Sequence, residues 1–310
     1  MPSKKKDMPY SWEMVVEANR HGTVGDVDLA LLSAFEESEK AYEICVDSAR
    51  VNATLNNKVD RLEYLLDEGH IDMNKIGPAS VASSFGDSSP KDLAAMLVSR
   101  GWDINQIQPT RGTYHSPASN EFNKKLIQLV CRDEEMVRWC LDKGATIEQS
   151  DETLLADVAS FGSIDTCRIL LEHGAPISES TLHNAAWRGR PEMVTYLVDE
   201  VGLDVNKVYQ GRHEPMLQYR TPLCSAVISP FLNGPGEVVK ILLERGADPC
   251  LEGNNAFDEA KSRLMIDILN EWKHRDEKTQ EEPKAKRRKT SKQNVSGDPK
   301  KKSWKHTLVT

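Results

Sequence analysis

Residues 180–189 read Ser-Thr-Leu-His-Asn-Ala-Ala-Trp-Arg-Gly, and the fold of the chain is predicted from this stretch. Ser180 is a favourable N-cap, because its hydroxyl can accept a free N–H of a first helical turn. Small apolar residues follow at helical spacing until Gly189 breaks the helix. A second amphipathic run at 190–198 leads to Gly202, which suits the left-handed position that closes a helix. This unit of about thirty residues is too small to bury its own apolar face.

Further copies of the unit occur along the chain. Each copy ends with an apolar run that leads to a glycine, as in the Cys-Arg-Ile-Leu-Leu-Glu-His-Gly-Ala of residues 167–175. These closing glycines are Gly69, Gly101, Gly144, Gly174, Gly202 and Gly246. The spacings of 32, 43, 30, 28 and 44 residues fit a period of about 33 residues with two longer loops. Stacked units of this kind bury a continuous core against their neighbours.

The repeated pattern resembles that of ankyrin-repeat proteins. The Thr-Pro-Leu-His-type opening, the Leu-Leu-x-x-Gly-Ala closing and the Asp-x-Asn turn match at residues 180–206 and 221–248. The resemblance extends over residues 41–272. It implies an all-α ankyrin-repeat solenoid of about seven helix–turn–helix units with hairpin-like loops, followed by a disordered basic C-terminal tail.

Four segments are predicted along the chain. Residues 1–8 and residues 275–310 are rich in charged and polar side chains that cannot form a core, so we expect both to be disordered. Residues 9–40 are predicted to form two helices, as a divergent first repeat or as an N-terminal cap. Residues 41–274 are the predicted ankyrin-repeat domain.

The composition excludes several classes of protein. No apolar run approaches eighteen residues, so no membrane span is expected, and the N-terminus lacks the apolar core of a secretory signal. The six cysteines are scattered and form no Cys-x-x-Cys pair. We expect buried, reduced thiols, with no zinc site and no disulfide framework, in a reducing compartment.

The net charge of −8 hides an uneven distribution. Residues 275–310 contain twelve Lys and Arg against five Asp and Glu, so the tail carries +7 and residues 1–274 carry −15. The compact cationic run in the tail resembles a nuclear localisation signal read by importin-α, which predicts a nuclear protein that either stays there or shuttles with the cytoplasm. Its basic residues are Lys284, Lys286, Arg287, Arg288 and Lys289. The alternatives are a solvated tail and a nonspecific nucleic-acid contact.

Catalytic motifs are absent from the sequence. The eight histidines are dispersed, and there is no Gly-rich phosphate loop, no His-Glu-x-x-His and no Gly-x-Ser-x-Gly. We therefore predict a protein that is not an enzyme, with no cofactor and no catalytic or metal-binding residues. For His183, the resemblance implies a hydrogen-bonding role between neighbouring repeats.

Candidate partner-binding residues lie in two places. The resemblance implies that the two x positions of Ala-Ala-x-x-Gly face the concave surface, and here they hold aromatic and arginine side chains that are favoured contact anchors. The candidates at these positions are Phe85, Phe161, Trp187 and Arg188. Alternatively, the phenylalanines pack sideways between repeats.

The second place is the pair of long loops, residues 106–116 and 207–220, which either bind a partner or are flexible. The candidates in the second loop are Tyr209, Arg212, Tyr219 and Arg220.

Three functions compete on these observations. The acidic body favours a chaperone for a basic client, such as a ribosomal protein or a histone segment, that binds the concave face. The alternative is an adaptor or transcriptional co-regulator scaffold that is anchored by the concave-face aromatics. An enzyme or a dedicated nucleic-acid binder is disfavoured, and we expect a monomer that recognises another protein.

Overall fold

The computed structural model describes residues 8–84, 90–107, 124–211, 220–231 and 234–281. The chain divides into two compact units, residues 1–146 and 147–310, and the described part of each consists mainly of paired α-helices. The predicted all-α repeat architecture is confirmed. Most of the predicted N-terminal segment 1–8 and of the loop 106–116 lies outside the described residues, as does the tail beyond residue 281.

The described part of the first unit contains eight α-helices. In chain order they are α1 (Tyr10–His21), α2 (Val24–Glu37), α3 (Glu39–Leu55), α4 (Val59–Asp67), α5 (Pro78–Ala82), α6 (Pro90–Ser99), α7 (Leu126–Leu129) and α8 (Glu134–Asp142). Helices α1, α2 and α3 pack against one another around the buried side chains of Val15, Leu31 and Cys45. Thr23 begins α2 with a capping box, since its hydroxyl accepts from the Asp26 N–H and the Asp26 carboxylate accepts from the Thr23 N–H.

Helix α7 is only one turn long, where the repeat pattern is weakest. Lysines occupy positions that small residues usually hold in this part of a repeat. Lys125 is nevertheless buried, because its ammonium group reaches the carbonyl of Thr146 at 3.1 Å. A buried lysine therefore needs this carbonyl partner in place of ordinary apolar packing.

The second unit continues the pairing in two rows of helices. The described elements are α9 (Leu154–Phe161), α10 (Ile164–Glu172), α11 (Ser180–Trp187), α12 (Pro191–Asp199), α13 (Pro222–Val227), α14 (Pro235–Glu244), β1 (Cys250–Leu251), β2 (Asn254–Asn255), α15 (Ala256–Glu259) and α16 (Arg263–Glu281). The inner helices α9, α11 and α13 pack side by side, and α10, α12 and α14 form the outer row, with α16 beside α14. Strands β1 and β2 pair antiparallel.

Two predicted boundaries need correction. Helix α16 runs to Glu281 and so includes residues 275–281, which the composition predicts to be part of a disordered tail. Lys, Glu, Gln and Arg are good helix formers, so the backbone can stay helical through a segment whose sequence contains no apolar residue. Helix α11 begins at Ser180 itself, and its hydroxyl lies 3.0 Å from that of Ser178 instead of capping the helix.

The left-handed closing glycine predicted at residue 202 is confirmed by its φ of +82°. The other five closing glycines also have φ between +71° and +94°. Each helix pair therefore ends with the backbone reversal that an L-residue with a side chain rarely adopts.

Asparagines of the Asp-x-Asn turns link successive hairpins. The side chain of Asn206 donates to the Gly246 carbonyl at 3.1 Å and accepts from the Asp248 N–H at 2.8 Å. Asn105 makes the same pair of bonds with the Gly144 carbonyl and the Thr146 N–H. These bonds set the spacing of neighbouring repeats. Every helix in the described ranges is too short or too polar to cross a membrane.

Candidate functional site

Four side chains from three consecutive repeats meet at the ends of the inner helices of the second unit. The guanidinium carbon of Arg188 lies 4.1 Å from the ring centre of Phe161, 4.9 Å from that of Trp187 and 5.0 Å from that of Phe231. The rings of Trp187 and Phe231 meet edge to face, with centres 5.3 Å apart. We call Phe161, Trp187, Arg188 and Phe231 the aromatic–arginine cluster.

Local backbone geometry brings Phe231 into the cluster. Ser229 follows α13, and its hydroxyl donates to the Trp187 carbonyl at 2.6 Å while accepting from the Phe231 N–H at 3.3 Å. The loop then passes so close to α11 that a Cβ atom at Gly234 would lie 1.9 Å from the Gly189 carbonyl oxygen. Only glycine permits this approach, since Gly234 also has a φ of +91°.

The cluster is both packed and accessible. The side chains of Phe161 and Phe231 remain 40% and 38% exposed, whereas Trp187 and Arg188 are half-buried. A cation over aromatic rings contributes about 0.5–2 kcal/mol, depending on how far it is removed from water. Arg188 therefore holds the rings in place, and the two phenylalanines present apolar surface to solvent.

The structure brings three of the four predicted x-position residues together. Phe161, Trp187 and Arg188 are all in the cluster, whereas Phe85 lies outside the described residues. Phe161 contacts a side chain of the neighbouring repeat and is also exposed to solvent, so sideways packing and availability to a partner are not exclusive. Since Trp187 is half-buried beside Phe231, its truncation is expected to lower stability as well as binding.

Sequence reasoning missed Phe231. Its position in the repeat is displaced by the insertion after Ser229, so the Ala-Ala-x-x-Gly pattern does not point to it. The signal in the sequence was the insertion itself, Pro-Phe-Leu-Asn-Gly-Pro at residues 230–235, which contains a large aromatic residue next to turn formers.

The base of the second long loop is anchored by His183. Its Nε2 lies 2.9 Å from the carbonyl oxygens of both Lys207 and Arg220, and its Nδ1 lies 2.8 Å from that of Glu179. Burial lowers the pKa of His183, and the three carbonyl groups oppose this effect. The hydrogen-bonding role implied for His183 thus corresponds to a clasp between the two ends of the loop.

The prediction that Tyr209 offers a partner contact needs correction. Tyr209 is only 4% exposed, its ring packs 5.8 Å from that of His183, and its N–H donates to the Arg220 carbonyl at 3.0 Å. The backbone at Tyr209 thus pairs with that at Arg220, and the tyrosine ring is buried beside His183. Arg220 is half-buried beside Glu259 at 3.5 Å. The remaining loop candidates, Arg212 and Tyr219, lie outside the described residues.

The cationic run of the tail, from Lys284 to Lys289, also lies outside the described residues. All six cysteines are free thiols, and burial raises the pKa of Cys140 and of Cys167 to about 12. In the described ranges, no group of three His, Cys, Asp or Glu side chains is placed to hold a metal ion.

Comparison with known proteins places ankyrin repeats in the region of the cluster. The family described as "Ankyrin repeats (3 copies)" matches residues 126–209, and the family described as "Ankyrin repeat" matches residues 218–254. The E3 ubiquitin-protein ligase hecd-1 of Caenorhabditis elegans is 34% identical over 120 residues, which cover 38% of this chain but only 4% of that protein. The ligase activity in its name belongs to that protein, of which this chain spans a small part.

The helix pairs, the left-handed closing glycines and the asparagine links between hairpins agree with this match. Ankyrin repeats are generally non-catalytic modules for protein–protein interaction. The chain therefore contains ankyrin repeats between residues 126 and 254.

Proposed function

We propose that the protein acts in the nucleus and binds another protein through the aromatic–arginine cluster. The observation that carries this proposal is the exposure of Phe161 and Phe231 on either side of Arg188. Aromatic and arginine side chains are the residue types that contribute most to protein interfaces. A partner that covers the two phenylalanines would remove apolar surface from water without any rearrangement of the repeats.

The favoured role for such a surface is that of an adaptor or co-regulator scaffold. In that role, affinity depends on aromatic contacts and changes little with salt concentration. Because Trp187 and Arg188 are held by their neighbours, the cluster is ready to bind and loses little conformational freedom when the partner arrives.

A double substitution, Phe161→Ala/Phe231→Ala, tests the proposal. We expect the full-length variant to lose partners that wild-type protein captures from nuclear extract. It should remain folded, with a loss of about 1–4 kcal/mol of unfolding free energy in urea, because Arg188 loses two cation–π contacts. Phe35→Ala/Ile266→Ala is the matched control, since it also removes two exposed apolar side chains but lies outside the cluster and outside both candidate loops. Unchanged capture by the Phe161/Phe231 variant would contradict the proposal.

A chaperone for a basic client remains the second candidate, because residues 1–274 carry a net charge of −15. Long-range attraction would then speed binding and make it sensitive to salt. In this case the captured proteins would be basic, would be released by moderate salt, and would still bind the Phe161/Phe231 variant.

Nuclear import through the tail is a separate part of the proposal. The residues expected to contact importin-α are Lys284, Lys286, Arg287, Arg288 and Lys289. A fluorescent full-length fusion with residues 286–289 changed to alanine should lose nuclear accumulation. Changing Lys300, Lys301 and Lys302 to alanine provides a control that removes a similar amount of charge from the same tail. Nuclear accumulation of the first variant at the wild-type level would contradict this assignment.

A further inference from the structure

A cavity of about 330 Å³ lies on the outer helices of the second unit and shares no lining residue with the aromatic–arginine cluster. Ile164 of α10, Pro191 of α12 and Ile241 of α14 give it apolar walls. Its volume is at the lower end of the range of about 300–1,000 Å³ for ligand pockets. It therefore has room for one long side chain.

Three carboxylates also line this cavity. Glu200 pairs with Arg168 at 3.5 Å. Glu192 and Glu237 are exposed on α12 and α14, and neither has an ion pair or a hydrogen bond with another described residue. The cavity thus combines apolar walls with two carboxylates that no cation of the described chain neutralises by direct contact.

The hydroxyl of a largely buried tyrosine provides an independent indication of a ligand. Tyr196 lines the cavity, is only 6% exposed, and makes no hydrogen bond through its hydroxyl to any residue that the structure describes. Burial raises the pKa of Tyr196 to about 12, so its hydroxyl stays protonated and neutral at physiological pH. Its oxygen can accept a hydrogen bond from a cationic group.

We propose that this cavity is a second protein-contact site, which takes a lysine or arginine side chain from a basic segment of a partner. The aliphatic stem would pack on Ile164, Pro191 and Ile241, as such stems do on apolar surface. The cationic head would lie between Glu192 and Glu237 and donate to the Tyr196 oxygen. Arg168 provides a similar contact within the chain, since its guanidinium lies 5.4 Å from the Tyr196 ring centre and pairs with Glu200.

The apolar walls make this site more selective than the general attraction between an acidic surface and a basic partner. Charge spread over the whole surface draws in any basic chain, whereas the apolar walls select a side chain with a long stem and a cationic end. The site does not depend on the aromatic–arginine cluster. The two proposals can therefore fail separately.

Methyl NMR of full-length protein labelled at isoleucine tests the proposal directly, because Ile164 and Ile241 report from within the cavity. The probes are the blocked tripeptides Ala-Lys-Ala and Ala-Arg-Ala, compared with Ala-norleucine-Ala, which keeps the aliphatic stem without the charge. We expect saturable shifts of the two methyl signals with at least one cationic peptide and none with the norleucine peptide. Equal shifts with norleucine, or no shifts with either cation, would overturn the proposal.

Paired variants distinguish binding inside the cavity from attraction by the surrounding surface charge. Glu192→Gln/Glu237→Gln should weaken binding of the cationic peptide about tenfold, since each exposed ion pair contributes up to about fivefold. Glu152→Gln/Glu252→Gln changes the net charge equally at two exposed sites outside the cavity and should bind like wild type. Equal weakening in both pairs would instead assign the shifts to the overall acidic surface. The Phe161→Ala/Phe231→Ala variant should retain the shifts in full.

Discussion

One imidazole joins three segments of the second unit. His183 is fully buried, and its two nitrogens lie next to three backbone carbonyl groups, which belong to Glu179 just before α11 and to both ends of the loop 207–220. A carbonyl that is buried without a donor costs about 1–3 kcal/mol. The histidine therefore stabilises the fold chiefly by satisfying the loop ends.

Replacing His183 with alanine should lower the free energy of unfolding by about 2–4 kcal/mol. The physical reason is that the carbonyls of Lys207 and Arg220 lose their shared donor and a cavity opens beneath Tyr209. Urea denaturation followed by circular dichroism measures this change. His173→Ala is the control, since His173 is exposed and contacts only the carbonyl one turn earlier, at Ile169. Equal losses of unfolding free energy in the two variants would contradict a stabilising role for the His183 contacts with the loop ends.

The thiols differ sharply in their accessibility. Cys250 is exposed, whereas the other five cysteines are buried, and burial raises the pKa of several of them. Because the thiolate is the reactive form, a buried thiol with a raised pKa reacts slowly. Titration with Ellman's reagent should therefore modify one cysteine in native protein and six in denaturant. Cys250→Ser should remove the native reaction, and a rapid reaction that persists in this variant would contradict the burial of the other five.

At the scale of elements, asparagine side chains couple one hairpin to the next. Asn206→Ala removes both the donor to the Gly246 carbonyl and the acceptor for the Asp248 N–H. We expect a loss of about 1–3 kcal/mol of unfolding free energy, measured by urea denaturation. Asn270→Ala is a suitable control because Asn270 is exposed on α16. A cost near zero for Asn206→Ala would mean that water replaces both bonds.

The helices that sequence analysis located well are those whose signals are local. The closing glycine of a helix pair is such a signal, because the turn that ends the helix requires a positive φ. The apolar residues just before the glycine mark the buried face of the same helix. The extent of α7 and of α16 was not predictable in this way. Lys125 depends on a carbonyl twenty-one residues away, and α16 continues through residues 275–281, whose sequence has no apolar residue to mark a helix.

The same distinction holds for the candidate site. The repeat pattern identified Phe161, Trp187 and Arg188 because equivalent positions recur in each unit. It failed for Phe231, whose position depends on the close approach of Gly234 to Gly189 across an insertion. It also failed for Tyr209, since loop membership suggested exposure while the clasp at His183 buries the ring.

For the whole molecule, the main feature is the separation of charge along the chain. Removing residues 282–310 deletes ten Lys and Arg and two Asp and Glu, so the remaining chain becomes strongly acidic. We expect the truncated protein to lose weak, salt-dependent binding to a random-sequence RNA, as measured by fluorescence anisotropy, because that binding depends on phosphate neutralisation. Its thermal unfolding should stay unchanged. RNA binding that survives the truncation would place a nucleic-acid contact on the repeats.

The glycine that closes α10 shows how the chirality of a single residue can affect the stability of the array. Gly174 has a φ of +83°, and a Cβ built there meets no heavy atom within 4 Å, so the backbone alone excludes an L side chain. A D-amino acid prefers the mirror-image region and would fit the same turn. Semisynthetic protein with D-alanine at this position should be more stable than wild type by about 0.4–1 kcal/mol, because the unfolded chain has fewer conformations to lose. L-alanine should be destabilising by about 1–2 kcal/mol, so thermal unfolding of the two stereoisomers would give shifts of opposite sign. The closing turns thus leave space for a methyl group of one chirality, which ribosomal synthesis cannot supply.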